Sequence, residues 1–118
     1  MIKRAEEMIR EIKENMRGGS GQVELTHLFQ PGEFKGRARL CARITLEPGC
    51  SIGLHEHQNE EEIYYVLSGQ GLLAEGAGRP EQALRAGDAS LALGGQSHTI
   101  RNEGPQPLEL LALILLYQ

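Results

Sequence analysis

The chain has 118 residues, the length of one domain, with a net charge of -4, 4% aromatic residues and no tryptophan. No block of Lys and Arg follows the first turns, so the electrostatic footprint and the stacking surface of a nucleic-acid binder are both missing. The longest apolar run, Leu108 to Tyr117, is interrupted by Glu109 and falls far short of the roughly 20 residues that a membrane helix needs.

Met1 to Arg17 spaces Ile2, Ala5, Ile9, Ile12 and Met16 three and four apart among charged residues, with Gly18-Gly19 as a stop. The first expectation is an amphipathic helix, and an edge strand is the alternative. The segment lacks the apolar run of an export signal and is too short for the two helices of a helix-turn-helix unit. Gly18 to Gly21 reads as a linker, which divides the chain into an arm at 1–21 and a single domain at 22–118.

From Gln22 onward the apolar period is two. Gln22 to Phe29 reads as a strand ended by Pro31-Gly32, and Arg39 to Leu46 sets Leu40, Ala42, Ile44 and Leu46 against Arg39, Cys41, Arg43 and Thr45. Cys41 and Cys50 form no Cys-x-x-Cys pattern, and free thiols in a reducing cytoplasm are expected. Further strands are expected around Ile63–Leu67, Gly71–Glu75, Glu81–Leu84, Ala89–Leu93, His98–Asn102 and Leu108–Tyr117, punctuated by Gly and Pro. With no helix-length gap between them, they predict an all-β sandwich or barrel.

The chemistry concentrates between Gly49 and Gly69. His55 and His57 stand two apart, a spacing that puts both imidazoles on one face of a strand and diverges on a helix. Glu62 returns on the next strand, and the polar Gln58 to Glu61 segment suggests a hairpin that carries three ligands on one face. Among rival carboxylates, Glu56 and Glu61 fall on the opposite parity and Glu60 falls in the turn, so Glu62 is favoured. His27 shares parity with Val23, Leu25 and Phe29, and either enters the pocket or is a hydrogen-bonded structural residue. Tyr64 shares parity with Glu62 and either orients substrate or packs in the core with its hydroxyl satisfied. Arg43 reads as a surface arginine that would meet a substrate carboxylate only if its face lines the barrel.

These residues carry a resemblance. Gly49, His55, His57, Glu62 and Gly69 match the first cupin motif, Gly-x5-His-x-His-x4-Glu-x6-Gly. Gly87, Gly95, His98 and Asn102 match the second, Gly-x5-Pro-x-Gly-x2-His-x3-Asn, with Leu93 in place of the proline. The chain thus resembles a small single-domain cupin, which implies a jelly-roll barrel of two antiparallel sheets with a short N-terminal helix or edge strand. The resemblance also implies that His55, His57, Glu62 and His98 bind one divalent metal. Three imidazoles and one carboxylate suit Mn, Fe, Co, Ni, Cu or Zn better than Ca or Mg.

The leading functional expectation is a small metal-dependent enzyme acting on an oxygen-rich metabolite by oxygenase, isomerase, lyase or decarboxylase chemistry. Tyr64 and His27 are its candidate catalytic residues. Oxalate decarboxylation is disfavoured, because family members with that activity carry an arginine just before the His-x-His pair, where this chain has Ser51-Ile52-Gly53-Leu54. The alternative is a non-catalytic module in which the metal anchors a small ligand. Four intact ligand positions argue against a metal-free cupin. No nucleic acid or membrane is expected as a partner, and a homodimer is, since self-pairing covers exposed sheet edges.

Overall fold

Residues 1–118 are all described by the computed structural model. The period-two segments form ten strands: β1 (Ile9–Glu14), β2 (Gln22–His27), β3 (Ala38–Leu46), β4 (Ser51–Glu56), β5 (Glu60–Ser68), β6 (Gln70–Ala74), β7 (Gln82–Arg85), β8 (Ala89–Ala92), β9 (Ser97–Arg101) and β10 (Leu108–Leu116). They make a six-stranded sheet in the order β1-β2-β3-β10-β5-β8 and a four-stranded sheet in the order β4-β9-β6-β7. Every pairing between strands is antiparallel.

Alternation along β10 buries Leu108, Leu110, Ala112 and Ile114, and these meet the inward residues of β2, β3 and β5. Ile52, Leu73 and Ile100 of the smaller sheet close the core from the other side. Each buried Leu or Ile among them contributes about 1.5–3 kcal/mol by leaving water. The interior is therefore a two-layer sandwich with one apolar end, and its other end carries the polar cluster described below.

Two expectations about local structure are corrected. Of the two readings of Met1 to Arg17 the edge strand holds and the helix fails: Ala5–Glu7 and Met16–Gly18 are single 3-10 turns, and the residues between them form β1 at the edge of the larger sheet. That strand pairs with β2 from Ile9 opposite His27 to Glu14 opposite Gln22, so inter-strand hydrogen bonds win over intrahelical ones. The helical stripe also has nothing to bury against, since Ile9 and Ile12 are 52% and 55% exposed. The expected hairpin around Gln58 fails too, because β4 and β5 lie in different sheets. The chain turns the corner at Asn59, which takes φ 58, and the two strands face each other across the interior.

Two motif residues have structural roles. Gly69 links β5 to β6 at φ 78, and a Cβ there would sit 2.3 Å from the Pro107 carbonyl oxygen. Asn102 is fully buried; its Nδ2 donates to the carbonyls of Leu46 and Gln106, and its Oδ1 accepts from Gly104 N–H. No helix is long and apolar enough to cross a membrane, and both cysteines are free.

Candidate metal centre

Three separate pieces of backbone deliver the four donors. On β4, Ile52 pairs with Ile100 and His55 with His98, so a register shift at Gly53-Leu54 absorbs one residue and turns both Ile52 and His55 inward. Just beyond β4, His57 N–H donates to Gln96 carbonyl while its own carbonyl accepts from Gly95 N–H. Those bonds hold the second imidazole beside the β8–β9 loop. Glu62 comes from the opposite sheet, on β5 between Ala92 of β8 and Ile114 of β10.

The donors meet at one point, with one ligand atom from each of His55, His57, Glu62 and His98 lying within 4.8 Å of all the others. His98 Nε2 is 3.1 Å from Nε2 of His57 and 3.1 Å from Nε2 of His55. Glu62 Oε1 is 2.9 Å from His57 Nε2, 3.1 Å from His98 Nε2 and 4.0 Å from His55 Nε2. Neighbouring donors on an octahedron with bonds of about 2.1 Å stand about 3 Å apart, so this spacing fits a single transition-metal ion.

The far ring nitrogens strengthen the fit. His55 Nδ1 lies 2.7 Å from the Gly53 carbonyl, and His57 Nδ1 lies 2.7 Å from Glu60 Oε2, both acceptors that fix the proton on Nδ1. In the neutral rings Nε2 then carries a lone pair, and these lone pairs face one another and a carboxylate. Only positive charge at the centre satisfies all of them. Protons supply it in part: hydrogen bonding to Glu62, then to Glu60, raises His57 above the usual histidine value. Burial alone would push Glu62 up, but hydrogen bonds from His55, His57 and His98 outweigh it and hold the carboxyl well below the usual range. His98 moves the other way, lowered chiefly by its burial.

Glu60 and Arg39 were not singled out from the sequence as parts of the site. Far from lying in a turn, Glu60 opens β5, is buried, and bridges His57 Nδ1 to Arg39, whose Nε and Nη2 donate to its two oxygens at 2.7 Å each. Arg39 hydrogen bonding lowers the Glu60 carboxyl to about 2. Strict alternation puts Arg39 on the outer face of β3, but Ile114 pairs with Leu40 and Leu115 with Ala38, so Arg39 is the extra residue of a bulge and swings to the cavity. The one available signal was the three-residue offset of Glu60 from His57.

The remaining candidates separate. Tyr64 is buried, lines the cavity and stacks on His98 with ring centroids 4.9 Å apart. Burial, then the charge of Glu62, raises its hydroxyl well above the usual phenol value. His27 sits on the cavity wall with Nε2 3.0 Å from Glu11 Oε1. Arg43 lies away from the cavity, beside Leu67 and Leu111 on the outer face of the larger sheet. At the position of the motif's proline, Leu93 N–H donates to Gln96 Oε1, a bond that proline could not make, and Gln96 N–H returns to the Leu93 carbonyl. The turn before His98 is thus closed by other means.

A cavity of about 490 Å³ opens onto His55, His57 and Glu62. Apolar residues of the core, Leu25, Ile44 and Ile52 among them, line its depth, while Lys13, Arg17 and Arg39 bring positive charge to its wall. Glu11 and Glu14 also line it, Glu11 beside His27 and Glu14 accepting from the neutral Gln22 amide, so the wall carries charges of both signs.

Residues 42–114 match the family described as Cupin domain. The chain is 43% identical over 116 residues to an oxalate-binding protein of Thermotoga maritima, spanning 98% of this chain and 94% of that one. It is 32% identical over 87 residues to an uncharacterized protein of Methanocaldococcus jannaschii, covering 74% of this chain and 68% of the other. Among solved structures, one described as a predicted oxalate decarboxylase from Thermotoga maritima superposes with a TM-score of 0.91 at 43% identity, covering 98% of this chain and 99% of its own.

Proposed function

This chain belongs to the cupin family, and from that premise we propose that His55, His57, Glu62 and His98 hold one divalent transition metal that anchors a small dicarboxylate in the cavity. The observation that carries the reading is the convergence of three Nε2 atoms and one carboxylate oxygen, with the Nδ1 atoms of His55 and His57 tied to acceptors. A divalent ion held by these four side chains would supply concentrated positive charge suited to a carboxylate oxygen. The chain's own residues do the rest. Glu60 orients the His57 ring, Tyr64 stacks on the His98 ring, and the apolar walls limit competing water. The ligand class is supported by the cationic residues on the wall and by the oxalate-binding name of the Thermotoga maritima relative.

Binding without turnover is the reading that the proton-transfer groups favour. Tyr64 keeps its proton at neutral pH, and His27 is engaged by Glu11. The strand before His55 offers no arginine to a decarboxylation step. Catalysis is the second reading, and Tyr64, which lines the cavity two residues along β5 from Glu62 and on the same face, is what favours it. Metal analysis of the purified protein and of His55→Ala, followed by calorimetric titration with oxalate, tests both. Stoichiometric metal lost in His55→Ala, with saturable oxalate binding and no carbon dioxide released, is expected. Metal-free protein that still binds oxalate would sink the metal-anchored reading, and oxalate turnover abolished in Tyr64→Phe would replace binding by catalysis.

The same proposal includes a homodimer in a reducing compartment. Ile63, Tyr65, Leu67, Leu91, Leu111 and Leu113 alternate with buried neighbours and so share the outer face of the larger sheet, and Tyr65, Leu67 and Leu91 are exposed. The free thiols of Cys41 and Cys50 support the compartment.

A further inference from the structure

We propose that Arg17 is the specificity-determining residue of the cavity, presented by a strained turn to take the second carboxylate of a metal-anchored dicarboxylate. This rests on the reading of the cavity as a metal-anchored anion site. The strand leading to His55 offers no cation, so any charge that recognises the ligand's far end has to come from elsewhere on the wall. Three cations line it: Arg39 is held by Glu60 at 2.7 Å, and Lys13 stands 3.9 Å from Glu11 with both side chains exposed. Arg17 has no ion-pair partner.

The backbone around Arg17 is unusual in a way that packing explains and stability does not require. Arg17 takes φ 55 and ψ 30, and Asn15, two residues earlier, takes φ 49. Asn visits this left-handed region readily because its short side chain bonds locally, whereas Arg has no such compensation. Such a conformation persists only where the surroundings over-determine it, and it concentrates at functional positions.

Here the surroundings are two side-chain-free contacts with β4. A Cβ on Gly53 would lie 2.1 Å from the Arg17 carbonyl oxygen, and one on Gly19 would lie 2.2 Å from that of Ser51. Met16, between the two strained residues, packs against the core, and Gly19 N–H closes the turn on the Met16 carbonyl. The turn is therefore pressed onto the strand two residues before His55. Arg17 lines the cavity without being part of the donor set.

Calorimetry on the Mn(II)-loaded full chain tests this, with oxalate as the dicarboxylate and acetate as a monocarboxylate that can reach only the metal. Arg17→Met is expected to weaken oxalate about 10- to 100-fold, the loss of one charge-assisted contact, while Mn(II) and acetate affinities stay as in the wild type. Arg17→Gly gives the readout that a structural role would not move. It relieves the left-handed strain, so its Tm is expected to match or exceed the wild type while oxalate binding falls as in Arg17→Met. Wild-type oxalate affinity in both variants overturns the role of Arg17 and leaves the cavity reading standing. Failure of the Mn(II)-loaded wild type to bind oxalate at all overturns both.

Discussion

Glu60 sits between the His57 imidazole and a guanidinium, 2.7 Å from His57 Nδ1 and 2.7 Å from each of two Arg39 nitrogens. Groups that orient a ligating imidazole fix its tautomer and raise its basicity, and so tune metal affinity. Glu60→Ala is therefore expected to lower metal affinity about 10- to 100-fold in a chelator competition, with Glu60→Gln retaining more because its amide oxygen still accepts from Nδ1. The same bond network has a pH signature. The Glu60 carboxyl lies at about 2 in the folded chain against an ordinary 4.5, mainly through Arg39. A carboxylate depressed by folding stabilises the fold fully above its unfolded value and loses that contribution as pH falls toward its folded value. Acid unfolding followed between pH 4.5 and 2 is thus expected to begin at higher pH in Arg39→Gln than in the wild type.

At the scale of elements, strand irregularities aim the site. The register shift at Gly53-Leu54 turns His55 inward after Ile52, and the bulge opposite Ile114 and Leu115 brings Arg39 to Glu60. Regular pairing at either place would send that side chain to the opposite face. Gly69 performs the comparable service between β5 and β6, since it combines φ 78 with a 2.3 Å approach to the Pro107 carbonyl that any Cβ would make. Gly69→Ala is expected to cost about 3 kcal/mol or more in urea unfolding, from backbone strain and overlap together. A loss of only a few tenths would show that the β5–β6 corner relaxes freely.

For the whole molecule, the larger sheet presents its inward face to the core and an apolar outward face that is covered beside Thr26 and Leu111 by Ala5 and Met8 and is open at Tyr65, Leu67 and Leu91. Tyr65, Leu67 and Leu91 are 44%, 45% and 49% exposed on that face. Sedimentation is expected to give a dimer of the 13.0 kDa chain, and Tyr65→Glu with Leu91→Glu is expected to return it to monomer without loss of the metal site. A wild-type chain that sediments as a monomer removes this expectation. The two sheets also explain the geometry of the candidate metal site: β4 and β9 contribute from one layer, β5 from the other, and the four side chains meet between them.

What the sequence by itself determined was whatever depends on short-range geometry. A period of two buries alternate residues of one strand, so the all-β class and the shared face of His55 and His57 follow from their spacing. The offsets to Glu62 and His98 carried the family resemblance. Only the tertiary structure decided that residues 9–14 pair as an edge strand, because β2 has a free edge that a helix would leave open. It alone decided that β4 and β5 face each other from separate sheets and that Arg39 and Glu60 join the site. The physical reason is common to these cases: bulges, corners and edge pairing are selected by hydrogen-bond partners remote in the chain, and local spacing carries no record of them.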